Sequence, residues 1–134
     1  MTYEEKISWL SRYREAEKLY QRLSYRLAEA QEATRHITQN LSAAPGGSKD
    51  GQSLARAVER QEEAERRAYA QLAVCDALFA EIDAALVQLD SAEYCALRKY
   101  CLNCLKWEQV AAEMNFTSRG IFALRRRAIE HLKL

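Results

Sequence analysis

Helix breakers are scarce in this chain. Its 134 residues include one proline, Pro45, and four glycines, three of which (Gly46, Gly47 and Gly51) share one short segment with that proline. Elsewhere Ala, Leu, Glu, Arg and Gln predominate, all of them residues that favour helix. The chain therefore reads as all-α. Long apolar runs are also missing: none approaches the roughly 20 residues needed to cross a bilayer, so no membrane is expected among the partners. Residues Met1 to Lys18 are charged throughout, which is unlike a secretory leader and predicts a cytoplasmic protein.

Residues that carry chemistry are few. The only histidines are His36 and His131, and the cysteines are Cys75, Cys95, Cys101 and Cys104. Cys101 and Cys104 have the spacing of half a zinc site, but a closed site needs four ligands and no second pair has matching spacing. Reduced, partly buried thiols are expected, with no metal and no cofactor. Pro45-Gly46-Gly47 lacks the Lys-Ser/Thr that completes a phosphate-binding loop. No nucleophile and base cluster at a motif spacing, and the carboxylates fall at the intervals of solvated helix faces. The chain is read as a non-enzyme.

The near-zero net charge conceals a division. Residues 1–90 carry 12 Lys+Arg against 15 Asp+Glu, a balance of −3, whereas residues 91–134 carry 8 against 4, a balance of +4. The basic end suits nucleic acid and the acidic front does not.

In the first segment Tyr13, Ala16, Tyr20, Leu23, Leu27, Ala30, Thr34, Ile37 and Leu41 recur at spacings of three and four, a heptad seam. A loop is expected over residues 42–52, where Pro45-Gly46-Gly47 stops a helix. Ser53 is the expected cap of the next helix. There Leu54, Val58, Gln61, Glu65, Ala68, Leu72, Cys75, Phe79, Ile82, Leu86 and Leu89 form a second seam. Two long helices with a short connection predict an antiparallel, coiled-coil-like hairpin over residues 1–90. A hairpin buries only one stripe per helix and seldom suffices alone. Homodimerisation, packing on the C-terminal part or a protein partner would each complete it.

Asp90 or Ser91 can cap a third helix running through Leu102, with Tyr94, Leu97 and Cys101 inward and Asn103 as the left-handed residue that ends it. A short helix over Trp107–Met114, a turn at Asn115-Phe116-Thr117 and a last helix over Ser118–Leu132 follow. Two helices crossing through a three-residue turn need a small residue at the crossing, here Ala111, and a turn residue tolerant of positive φ, here Asn115. Apolar groups must plug the angle. The expected motif core is Leu97, Trp107, Val110, Ala111, Met114, Phe116, Ile121 and Leu124. Residues 91–134 are thus read as a three-helix helix-turn-helix domain.

This stretch resembles region 4 of housekeeping-type (sigma-70) sigma factors. The matching residues are Leu97, Leu102, Trp107-Glu108-Gln109-Val110-Ala111-Ala112-Glu113-Met114, Thr117-Ser118-Arg119-Gly120-Ile121 and the basic run Arg125-Arg126-Arg127-Ala128-Ile129. The whole layout is similar to small phage and prophage transcription regulators of gram-positive bacteria, late-operon activators among them, which join a helical N-terminal part to such a domain. The chain departs from the family pattern at four places: Cys104 stands for a glycine, Lys106 for a Ser or Thr cap, Asn115 for the turn glycine and Gly120 for a threonine.

The resemblance implies a DNA-binding transcription regulator in a bacterial host cell, with double-stranded DNA as partner and RNA polymerase as a second candidate. The last helix would enter the major groove. Candidate DNA-binding residues are Thr117, Ser118, Arg119, Phe122, Arg125, Arg126, Arg127 and Lys133. Arg119 suits guanine, Phe122 a thymine methyl, and Arg125, Arg127 and Lys133 phosphates. Two other functions fit the same layout: a coiled-coil adaptor with a vestigial helix-turn-helix, and a phage DNA-packaging recognition subunit.

Overall fold

A computed structural model describes residues 1–43 and 48–134, with the side chains of 42, 43 and 48–50 outside the description. It is all-α: α1 (Tyr3–Leu10), α2 (Arg12–Ala43), α3 (Ser48–Leu86), α4 (Ser91–Cys101), α5 (Trp107–Met114) and α6 (Ser118–His131). No helix among the described residues is long and apolar enough to cross a membrane.

The first long helix is broken near its start, which the heptad seam did not foretell. Thr2 and Glu5 cap α1 reciprocally, the Thr2 hydroxyl accepting from the Glu5 N–H and the Glu5 carboxylate from the Thr2 N–H. The break falls at Ser11, whose hydroxyl donates to the Ile7 carbonyl at 2.8 Å. Such back-bonding competes with the helical ladder and bends helices. At the other end α3 begins at Ser48, five residues before the expected cap Ser53. The Pro45-Gly46-Gly47 stop lies outside the described residues.

The chain forms two compact units, residues 1–17 with 75–134, and residues 18–74. In the second, α2 and α3 lie side by side, with Ala33 and Ile37 lining one hollow together with Ser53, Arg56, Ala57 and Arg60, and because four residues separate the two helices in sequence they run antiparallel. The seam on α2 matches the sequence pattern, since Tyr20, Leu23, Leu27, Ala30, Thr34, Ile37 and Leu41 are all half-buried, with Ser24 the one half-buried position off the seam between residues 18 and 41. On α3 the seam turns slightly. Ala57 and Ala68 take the innermost places, while Val58 and Leu72, expected inward, stay exposed. Small residues at the contact let two backbones approach closely, and that approach turns the bulkier neighbours outward.

The first unit holds the main core. Ile82 and Leu86 from the end of α3, Leu10 from α1, Leu97 and Cys101 from α4, and Ala128, Ile129 and Leu132 around the end of α6 form one buried cluster. A second cluster joins Ala96 of α4, Val110 and Ala111 of α5, and Ile121 and Leu124 of α6. The boundary expected at residue 90 therefore falls inside a packed unit. Polar pins follow the same path. Lys6 Nζ donates to the Ile129 and Glu130 carbonyls at 3.2 and 3.3 Å, serving the open end of α6. The Gln88 amide holds the Lys133 backbone through both its N–H and its C=O, each at 3.0 Å. Arg98 pairs with Asp83, which also accepts from the Tyr94 hydroxyl at 3.1 Å.

Candidate nucleic-acid interface

The turn between α5 and α6 depends on Asn115. Its φ of 59° and ψ of 39° are left-handed, where a Cβ meets the following carbonyl and only glycine and the short polar residues sit readily. Its place lets the Phe116 N–H bond back to the Ala111 carbonyl at 2.9 Å, closing α5. Thr117 then caps α6, its hydroxyl accepting from the Gly120 N–H at 3.0 Å. Any Cβ at position 120 would stand 3.1 Å from that hydroxyl oxygen, which gives Gly120 a local reason. Asn115→Ala is expected to cost about 1 kcal/mol and Asn115→Gly to be tolerated. Urea unfolding of the two variants checks this, and equal stability of Asn115→Ala and the parent protein would show that the turn carries no strain.

The α4–α5 connection uses the same device one residue later than expected. Cys104, not Asn103, has the positive φ, 58°; Cys104 is also the position at which the resembled family carries glycine. Lys106 caps α5 without a side-chain acceptor of its own. Instead the Gln109 side chain accepts the Lys106 N–H at 2.9 Å.

Of the expected motif core, Leu97, Val110, Ala111, Ile121 and Leu124 are buried, and Trp107 and Met114 are half-buried against them. Phe116 is the exception: 39% of its surface is exposed. The backbone turn at Asn115 closes the angle by itself, and the Phe116 ring lies outside it, next to Gly120.

The candidate DNA-binding residues divide by what already holds them. Ser118, Arg119, Phe122 and Arg126 are exposed on α6, as is Ala123, which sequence reasoning passed over. Among the described residues Arg119 and Arg126 have no hydrogen-bond or ion-pair partner. They are seven residues apart, two turns of one face, about 10 Å along the axis. Lys133 is exposed beyond the end of the helix. Arg125 and Arg127, both expected at phosphates, are engaged within the fold. The Arg125 guanidinium lies 5.5 Å from the Trp107 ring centroid. That ring stacks on Tyr100 at 4.5 Å, and the Arg14 guanidinium lies 4.1 Å from the Tyr100 ring centroid. Arg14 also donates to the Tyr100 and Leu105 carbonyls at 2.7 and 3.2 Å. This pile of two cations and two rings fixes α5 against α4 and α6.

Arg127 meets Glu93, whose carboxylate is almost wholly buried. Oε1 of Glu93 lies 3.2 Å from Arg127 Nε and 2.9 Å from His131 Nδ1. The sequence offered little warning, since Glu93 sits in the first turn of α4 where a helix dipole welcomes an acid. The i, i+4 spacing of Arg127 and His131 was the available signal.

Burial raises the Cys101 thiol to about 12, so it stays protonated and unreactive at neutral pH. No disulfide joins any of the four cysteines, and no group of three His, Cys, Asp or Glu among the described residues could hold a metal ion. Comparison with known protein families, with curated proteins and with solved structures returned no match to this chain.

Proposed function

We propose that this chain is a DNA-binding transcription regulator that lays α6 in the major groove. The observation that supports it best is the pair Arg119 and Arg126, unpartnered and on one exposed face of a helix whose other face is core. Two cations left without carboxylates on an ordered helix are what a phosphate-lined groove would neutralise. Arg119, on the first turn, is assigned to base edges and Arg126 to phosphate. The likeness to sigma region 4 in the Trp107–Ile129 stretch agrees with this, and extends the proposal to a phage or prophage regulator that also contacts RNA polymerase.

The hairpin supplies a second element. Leu19, Tyr25, Tyr69 and Val74 are exposed on α2 and α3, and the residue 18–74 unit has little buried apolar surface of its own. Self-association through this hairpin would cover such residues and set two recognition helices on one duplex. The same exposure is what the adaptor reading would use.

The test is fluorescence anisotropy of the full chain with a duplex selected from a random library and with a scrambled one, across a salt series. Affinity should fall linearly on a log–log plot. Arg126→Ala should weaken both duplexes similarly and reduce the slope by about one, while Arg119→Ala should relax the preference for the selected duplex by about 10- to 100-fold. A folded protein that binds no duplex at low salt would leave the adaptor as the better reading.

A further inference from the structure

The exposed side of the motif holds a cleft that the arginines do not explain. It lies between α5 and the first turns of α6, with a volume of about 290 Å³. Ala111 and Ile121, both buried, line its base, and the exposed rings of Phe116 and Phe122 stand around it with Ser118. Its one charged lining residue is Glu108. Phe116 and Phe122 are 39% and 46% exposed, so both rings offer apolar surface to a ligand that enters the cleft.

Three features of the cleft identify the ligand. It sits on the N-terminal turns of α6, the part of a recognition helix that meets base edges. The carboxylate of Glu108 repels phosphate, while Arg119 and Arg126 on the adjoining face attract a polyanion as a whole. Its volume of about 290 Å³, at the small end of small-molecule pockets, admits a methyl group carried on a base edge. The major-groove edge of DNA carries one apolar group of that kind, the C5-methyl of thymine. We infer that Phe116 and Phe122 form a methyl-reading cleft that selects thymine at one or two positions of the bound duplex. This rests on the DNA-binding reading above.

The experiment replaces each thymine of the selected duplex by uracil in turn, which removes the methyl and leaves every hydrogen-bonding group in place. Wild-type full-length protein should bind about fourfold more weakly at one or two positions, as expected for one methyl-sized apolar group returned to water. Phe122→Ala and Phe116→Ala should bind the thymine and uracil duplexes equally. Both side chains are exposed, so both variants should fold, and circular dichroism checks that they do. Wild-type protein that prefers the selected duplex over the scrambled one yet ignores every uracil overturns the methyl cleft and leaves the DNA-binding reading standing. Variants that keep the full thymine preference overturn it as well, and leave the cleft to an apolar side chain of a protein partner. No binding to any duplex overturns both readings together.

Discussion

Leu86→Ala is expected to lower the unfolding free energy by about 2–5 kcal/mol, although position 86 lies at the end of a long helix and outside the helix-turn-helix. Leu86 is fully buried, and its cluster includes Leu97, Ala128 and Leu132. Removing three carbons forfeits their transfer free energy and leaves a void lined by side chains from three other elements. Those side chains cannot all collapse inward, because Lys6 and Gln88 pin the end of α6 in place. Val87→Ala is the control. Val87 is exposed, and the change should stay within about 0.5 kcal/mol. Urea unfolding followed by circular dichroism gives both numbers. A loss below about 1 kcal/mol for Leu86→Ala would mean that α4, α5 and α6 hold together on a core of their own, against the shared core described here.

That shared core also marks where the sequence stopped being informative. Periodicity identifies which face of a helix is apolar, so the all-α class, the paired helices and the bounds Trp107–Met114 could all be read in advance. Local backbone chemistry was legible in part: Asn115 takes the left-handed place expected of a short polar residue in that turn, whereas at the α4–α5 connection the left-handed place fell to Cys104 and not to Asn103. What periodicity does not reveal is which apolar face meets which. Ile82 and Leu86 were read as the seam of a helical hairpin, and together with Leu10, which that seam did not include, they form the floor under α4 and α6.

The candidate interface shows the same limit for charge. Arg119, Arg125, Arg126 and Arg127 look alike in a sequence, and a run of arginines near a helix end suggests phosphates. Their partners lie far away in the chain: Trp107 for Arg125, with Tyr100 and Arg14 stacked beyond it, and Glu93 for Arg127. Of the four, Arg119 and Arg126 are the ones both exposed and without a partner among the described residues. Phe116 erred in the opposite direction. An apolar residue in a tight turn was assigned to the core, yet the turn closes through backbone hydrogen bonds and leaves the ring outside.

Arg127→Ala should cost about 2 kcal/mol of stability and leave the salt dependence of DNA binding unchanged. Glu93 is 1% exposed, and an ionised carboxylate removed from water needs partners to offset its lost hydration. Arg127 and His131 supply them, and without Arg127 the carboxylate keeps only an imidazole. Breaking a fully buried pair costs about 3–5 kcal/mol. The smaller figure applies because the Arg127 side chain is 57% exposed, so water screens the pair and partly replaces the lost guanidinium. Glu93→Gln closes a double-mutant cycle: once the charge is gone, Arg127→Ala should matter less, with a coupling of about 1 kcal/mol or more. The salt series gives the second readout. A guanidinium committed to Glu93 releases no counterion on binding, so its removal should not alter the log–log slope, whereas Arg126→Ala should reduce that slope by about one. A variant at 127 that is as stable as the parent and loses a full unit of slope would return this arginine to the phosphate contacts and leave Glu93 to His131.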